Sequence, residues 1–503
     1  MVKRARHLPQ PATIHLVIYV VSLLALLFVS FHNLGANAIA DFDEARHAVN
    51  AYEMMRNGDY LVNTYMGETD LWNLKPPLGY WTVMLGYALF GYTALGLRFA
   101  SAVCWIATAF VLAQWLRKHA GLPSSICFIL LMVASTRLYE AHLVRTGDAD
   151  AIFTLLCVLE LLFLIQARES KWMVLPAGLC VGLAFLAKSW HAFWMFPSTL
   201  LFLIVSGMLP RFSARHASGY FLASFAPIAV WAAARYAMDG SVFFKTMVEY
   251  DLLARSGTTL EEHYGGPEYY IKVLLLTPSA VASALILIDS CTGALKDKGE
   301  QSVRDLVRTE DSRFVLAVLA WSVVPIVLFS LVSTKLVWYV FPCVPALCFI
   351  AAYAAPNVWE RAMRLTKNKK SLANLTPAAL LAVAAAFTVF GIFVSCRNAL
   401  TVHVNVEQDL LEAAYDGGDL SQGAEFYYWD GFGEFAPQGV VARAELSGDA
   451  YPLAGGMSAF SATDSPAALL VRADAADGSP YALPTDAELV GKTDEFLLYK
   501  NAR

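Results

Sequence analysis

The chain has 503 residues, a net charge of -5, 57% hydrophobic and 16% charged residues, and a mean hydropathy of +0.50. Water-soluble domains carry about a quarter charged residues, so the balance points to a polytopic membrane protein. No basic tract suggests a nucleic-acid partner, and the eight cysteines form no C-x-x-C pair, so neither disulfides nor thiolate metal sites are expected.

Each bilayer crossing takes about 20 mostly apolar residues. Eleven such runs follow one another, near 12–33, 94–116, 122–143, 150–166, 172–188, 191–209, 219–236, 270–290, 314–333, 338–355 and 374–396. The first is too long for a signal-peptide core and lacks a cleavage site, which predicts a retained first helix. One set of connectors is basic: Lys3, Arg4 and Arg6; Arg117 and Lys118; Arg168 and Lys171; Arg211 and Arg215; Arg304 and Arg308; Arg361 and Arg364. The positive-inside rule puts that set in the cytoplasm. The others, 34–93, around 144–149 and 189–190, 237–269, 334–337 and the tail after 396, then face outward. This parity requires that "PPLGYWTVMLGYALFGY" (76–92) does not span; its two prolines and short length favour an interfacial or re-entrant helix.

The outward connectors hold the unusual polar groups. In "DFDEARHA", Asp43, Arg46 and His47 are spaced i, i+3 and i+4, one face of a helix. Asp43 then suits a general base and Arg46 an anion contact, against a plainer reading as a solvated helix with ordinary ion pairs. Lys75 precedes two prolines in "WNLKPPLGYW". Asp148 and Asp150 of "VRTGDADA" open a span, where capping competes with a pairing of Asp150 and Asp43 across a cavity. Lys188 and Lys335 end spans in "FLAKSWH" and "STKLVWY". Snorkelling accounts for each lysine singly, but together with Arg46, Arg145 and Arg255 they suit a phosphate leaving group. Glu262 and His263 share a loop with Arg255. A divalent ion on His263, Asp43 and His47 competes with a simple hydrogen-bonded histidine, since no metal motif matches. After 396 the chain turns polar, with strand-like runs "AEFYYW", "GVVARAEL", "AALLVRA" and "EFLLYK", predicting a small α/β or β-rich domain.

Taken in order across residues 10–355, D-E-A-R, K-P-P-L-x-Y-W, R-x-G-x-x-D-A, G-L-A-F-L-x-K, H-x-x-G-P-x-Y-Y and K-L-x-W-Y-x-x-P-x-x-P resemble the GT-C membrane glycosyltransferases. The nearest branch contains the bacterial lipid A 4-amino-4-deoxy-L-arabinose transferases; protein O-mannosyltransferases are more distant. The resemblance implies a polytopic α-helical membrane protein of about 11 or more spans. It would carry juxtamembrane helices in the first outer loop and a small extramembrane α/β domain. We expect a catalytic membrane part, 1–396, and an outer domain, 397–503. The family uses polyprenyl-phosphate sugars, such as undecaprenyl-phosphate sugars, with a first-loop aspartate as base. By resemblance Asp43 is that base, with Glu44 beside it. Arg46, Lys75 and Arg255 contact the donor phosphate, Lys188 lines the same cavity, and Tyr339 lies near the donor. Asp150 is the second acid, with Asp148 competing for that place.

The implied reaction is inverting sugar transfer to a hydroxyl or phosphate of lipid A, another envelope glycan or a protein, on the outer face of a bacterial inner membrane. No nucleotide-cradling loop is present. The alternative is a flippase for a polyprenyl-linked glycan, which would use Glu140, Glu160 and Asp289 within or near spans.

Overall fold

The computed structural model describes residues 13–257, 263–297, 309–367, 376–431, 433–476 and 487–501. Glu262 and the basic residues Lys3, Arg4, Arg6, Arg304 and Arg308 lie outside them. Among the described residues, seven helices are long and apolar enough to cross a membrane: Thr13–Phe31, Ala94–His119, Lys171–Val205, Ala214–Asp239, Glu310–Leu331, Val337–Leu365 and Thr376–Leu400. The pair Tyr269–Leu275 and Pro278–Thr292, bent by 92°, makes an eighth if it is one span.

Length explains the difference from the eleven expected runs. The run at 122–143 yields a helix of only 12 residues, Leu122–Val133, about 18 Å long at 1.5 Å per residue, against a hydrocarbon core of about 30 Å. The run at 150–166 yields the 17-residue helix Asp150–Gln166. Two further runs merge into Lys171–Val205, broken by the 3-10 turn Ser189–Trp194, where Ser189 has a left-handed φ of 56°. Leu78–Phe90, with 13 residues, is likewise too short to cross.

The chain divides into two compact units, one of Met1–His32, Ser101–Arg145 and Ala149–Leu400, the other of Asn33–Ala100, Thr146–Asp148 and Thr401–Arg503. The first is the helical bundle. Helix Val174–Lys188 packs against Ala214–Asp239 through small residues: a Cβ on Gly178 would meet the Tyr220 carbonyl oxygen at 2.3 Å. Close backbone approach of this kind is how helices associate without a hydrophobic driving force.

The second unit joins the first loop to the tail. Helix Asp43–Asn57 carries two acids in its first turn, complementing the macrodipole, and ends at Gly58 in the left-handed conformation (φ 68°). Its apolar face (Ala45, Ala48, Val49, Tyr52) packs with Tyr80, Val83 and Tyr87 of Leu78–Phe90 and with Val441, Ala442 and Leu446 of the tail helix Gln438–Gly448.

A hairpin of β1 (Thr64–Tyr65) and β2 (Glu68–Thr69) follows that first-loop helix. In the tail, β3 (Glu425–Trp429), β4 (Tyr451–Pro452), β5 (Ala467–Arg472), β6 (Glu488–Lys492) and β7 (Phe496–Lys500) form a mixed sheet in the order β4-β3-β5-β7-β6. Alternation works as strands require: Phe426, Tyr428, Leu470 and Leu498 face one core, and Tyr427, Leu469 and Val471 the other.

One tail expectation is corrected. "GVVARAEL" is helical, not a strand, and it is buried along nearly its whole length. Val441, Ala442 and Leu446 meet the first-loop helix, while Val440 and Ala444 meet the sheet. A helix apolar on two faces loses the one-sided stripe that identifies it in sequence.

Candidate active site

In the unit formed by the first loop and tail, Glu44 and Arg98 build the frame. Glu44 accepts from Arg98 Nε at 2.7 Å and Nη2 at 2.9 Å, from the Gly147 amide at 2.9 Å and from the Ala40 amide at 2.8 Å. Arg98 also donates to the carbonyls of Leu34, Asn37 and Ala38. Both side chains are buried, and this bidentate pair leaves neither carboxylate oxygen unsatisfied. Glu44, expected beside the base as a catalytic candidate, therefore works as a tie between the chain before Asp43, the Asp43 helix and the Asp148 loop.

That frame brings the acids together. Carboxylate oxygens of Asp43 and Asp148 lie within 4.8 Å of each other. Lys75 Nζ stands 3.5 Å from Asp43 Oδ1 and 3.1 Å from Asn73 Oδ1. His47 Nδ1 donates to the Asp43 carbonyl at 2.7 Å and lies 3.7 Å from Asp148 Oδ1. Because a carbonyl only accepts, Nδ1 carries the proton, and Nε2 is left as a buried acceptor without a hydrogen-bond partner. Burial, reinforced by the Lys75 charge, lowers the His47 pKa below its usual value, which favours the neutral ring. Phe42, just before Asp43, holds a left-handed φ of 66° without being glycine. Such strain persists only where neighbours over-determine it.

Arg46, expected as an anion contact or as a member of an ordinary ion pair, is engaged within the protein. Its guanidinium pairs with Asp70 at 2.7 Å and lies over the rings of Tyr65 (3.9 Å) and Trp72 (4.8 Å). Asp70 in turn accepts from the amides of Trp72 and Asn73 and from Asn50.

The bundle holds a second group. Lys188, the last residue of its helix, forms a buried ion pair with Asp150, the first residue of the next-door helix. Ser189 donates to Asp251 Oδ2 at 3.0 Å, and Arg255 Nε lies 3.4 Å from Asp251 Oδ1. Asp251 sits on the π-helix Met247–Ala254, a rare geometry frequent at functional sites. Tyr339 packs edge-on to His191 with centroids 4.0 Å apart.

Lys335, expected as a further phosphate cation, donates to the carbonyls of Phe329 (2.8 Å), Ser330 (2.6 Å) and Val332, capping the end of helix Glu310–Leu331. His263 is exposed, and its carbonyl accepts from the Lys335 amide at 2.9 Å.

The two adjacent acids are thus engaged differently, Asp148 with His47 and Asp150 with Lys188. Sequence reasoning missed Arg98, Asp70 and Asp251. Of these only Asp251, four residues before Arg255, carried a local signal. The acids that a transporter would use have structural partners: Glu160 accepts from Thr199 and Trp321, Asp289 faces Arg361, and Glu140 accepts from Asn398.

The helical bundle and its polar first loop have the fold of the GT-C membrane glycosyltransferases. The structure superposes on ArnT from Cupriavidus metallidurans, solved bound to undecaprenyl phosphate, with a TM-score of 0.71 over 98% of this chain and 99% of that one, at 14% identity. Residues 74–231 match the dolichyl-phosphate-mannose-protein mannosyltransferase family. The chain is also similar to undecaprenyl phosphate-alpha-4-amino-4-deoxy-L-arabinose arabinosyl transferases. That of Aeromonas salmonicida is 27% identical over 72% of this chain, and that of Aeromonas hydrophila 29% identical over 72%. In each case the match spans 65% of the relative, a little under two thirds of its length.

Proposed function

We propose that this protein is an inverting glycosyltransferase that moves a sugar from a polyprenyl-phosphate donor to a hydroxyl or phosphate of an envelope acceptor. The observation that carries this reading is the Asp43–Lys75 pair, with Asp148 beside it, in a chain that has the ArnT fold.

Asp43 takes the proton of the acceptor hydroxyl as its oxygen attacks the anomeric carbon. The bond from that carbon to the phosphate oxygen breaks on the opposite face, and the polyprenyl phosphate leaves with the electron pair. General-base help of this kind contributes roughly 10²–10⁴-fold. Lys75 stabilises the charge growing on the departing phosphate. Arg46, held by Asp70, contributes to the field rather than through a direct contact. Asp148 is the better second acid than Asp150, because Asp150 is neutralised by Lys188. Two carboxylates this close suit a hard divalent cation bound through oxygen.

The gathering of basic residues in one set of connectors supports a bacterial inner-membrane protein with a cytoplasmic N-terminus and with the first loop and residues 397–503 periplasmic. A cysteine introduced at Ser447 should then react with an impermeant thiol reagent added to spheroplasts; labelling only after lysis would refute this orientation.

The reaction is tested with the purified protein, lipid A as acceptor and a panel of undecaprenyl-phosphate sugars that includes the 4-amino-4-deoxy-L-arabinose form. Undecaprenyl phosphate release that depends on acceptor supports the reading, and its loss with EDTA assigns the cation. Movement of intact donor across a bilayer without bond cleavage would refute it.

A further inference from the structure

The chain leading into Asp43 is bracketed by the tail. The amide of Ile39 donates to Gln408 Oε1 at 2.8 Å, and Gln408 Nε2 donates back to the Ile39 carbonyl at 2.8 Å, a two-point clamp that is 3% exposed. On one side of it the Ala38 amide donates to the His403 carbonyl at 2.9 Å, and the His403 amide to Asn37 Oδ1 at 2.8 Å. On the other side the Gly439 amide donates to Asp41 Oδ1 at 2.7 Å. A Cβ on Gly439 would meet Gln408 Nε2 at 2.6 Å and the Ile39 carbonyl oxygen at 2.7 Å, so glycine there is required by the closeness of the clamp. Gln408 is itself fixed on helix Val406–Asp416, its amide donating to the Asn405 cap.

From these contacts we infer that the tail is a positioning module for the catalytic helix, with Gln408 as the residue that sets Asp43. The clamp lies three residues before Phe42, whose left-handed backbone presents Asp43 to Lys75. An unsupported non-glycine residue relaxes out of that conformation. Without the clamp Phe42 relaxes and Asp43 swings, while Lys75, held by Asn73, stays. A displacement of about 1 Å at a reacting group costs on the order of a hundredfold in rate. Gln408 reaches the reaction only through this segment. It is a positioning residue, and its contribution appears in kcat.

The inference rests on the glycosyltransferase reading, and its test separates the two. In the full-length protein, Gln408→Leu keeps the side-chain size and removes both hydrogen bonds. It should speed amide hydrogen exchange over residues 38–47 and lower kcat at least about tenfold. Undecaprenyl phosphate affinity should stay within about twofold. Gln422→Leu, which removes an exposed tail contact to Ser447, is the control and should change none of these. Should Gln408→Leu fail to fold, Asn37→Ala opens the exposed end of the same bracket and should show a smaller loss with the same split. Unchanged kcat, or affinity falling in step with kcat, would overturn the positioning role. If the wild-type protein transfers no sugar, the functional reading fails, and the exchange result alone decides whether the bracket holds the segment.

Discussion

Asp43 and Lys75 are 32 residues apart in sequence yet 3.5 Å apart in space, and their roles predict different kinetics. A base matters when the proton moves, so Asp43→Asn should lower kcat by roughly 10²–10⁴-fold and leave undecaprenyl phosphate binding nearly intact. A cation beside the phosphate acts in the ground state too. Lys75→Ala should therefore weaken undecaprenyl phosphate binding by roughly 1.5–3 kcal/mol, about ten- to a hundredfold, besides slowing turnover. Kinetics alongside direct lipid-phosphate titration would expose an error: equal, small losses for both variants contradict both roles. This pair was legible because the residues sit in compact motifs of charge and proline beside an apolar run. The contacts of Arg46 were not legible, since its partners Tyr65, Asp70 and Trp72 lie beyond the helix turn that periodicity can read.

At the scale of elements, the Asp43 helix depends on a charge pair that composition hides. Arg98 lies within an apolar helix, where a lone arginine in sequence reads as a snorkelling residue, and its partner is 54 residues away. Removing one side of a buried pair strands the other. Arg98→Leu should destabilise the protein by about 3–5 kcal/mol, and the double change with Glu44→Leu should recover part of that loss. Thermal unfolding in a fixed detergent measures both, and a double variant no more stable than Arg98→Leu would contradict the account.

The span pattern was readable as hydrophobicity. Where runs break into pieces of 12 to 17 residues, apolar content alone does not reveal the length of the helix. The helix Gln438–Gly448 was unreadable because it is buried on two faces, and Gln408 because one polar residue in a polar tail has no pattern to stand out from.

The whole molecule adds a dependence on pH. Glu445 of the tail helix is 2% exposed, and neither carboxylate oxygen has a hydrogen-bond partner. It faces Glu53 and Arg56 on the first-loop helix and Asp449 at its own helix end, with the Tyr52, Tyr65 and Tyr87 hydroxyls in the same field. Burial, and then Glu53, raise the Glu445 pKa well above the usual carboxylate value; burial raises that of Glu53 as well.

A raised acid contributes stability that is complete below the unfolded pKa, about 4.3, and is lost as pH climbs through the folded value. His47 has the opposite sign: its lowered pKa favours the fold above about 6.5, a contribution lost on acidification. Glu445→Gln, which fixes the protonated shape, should raise the melting temperature at pH 8 and leave it unchanged at pH 4. An equal shift at both would show that titration is not the cause.

The second compact unit is stitched from three stretches of chain, the last beginning at Thr401. A ribosome adding about 5–20 residues per second delivers Asn33–Ala100 long before it delivers the partners of that segment. For that interval the nascent helix behind Phe42 has no Gln408 to grip it and no Gly439 to cap against. Competence therefore arrives last in synthesis, so a prematurely terminated product can thread its early spans into the bilayer while lacking the means to hold its aspartate in place.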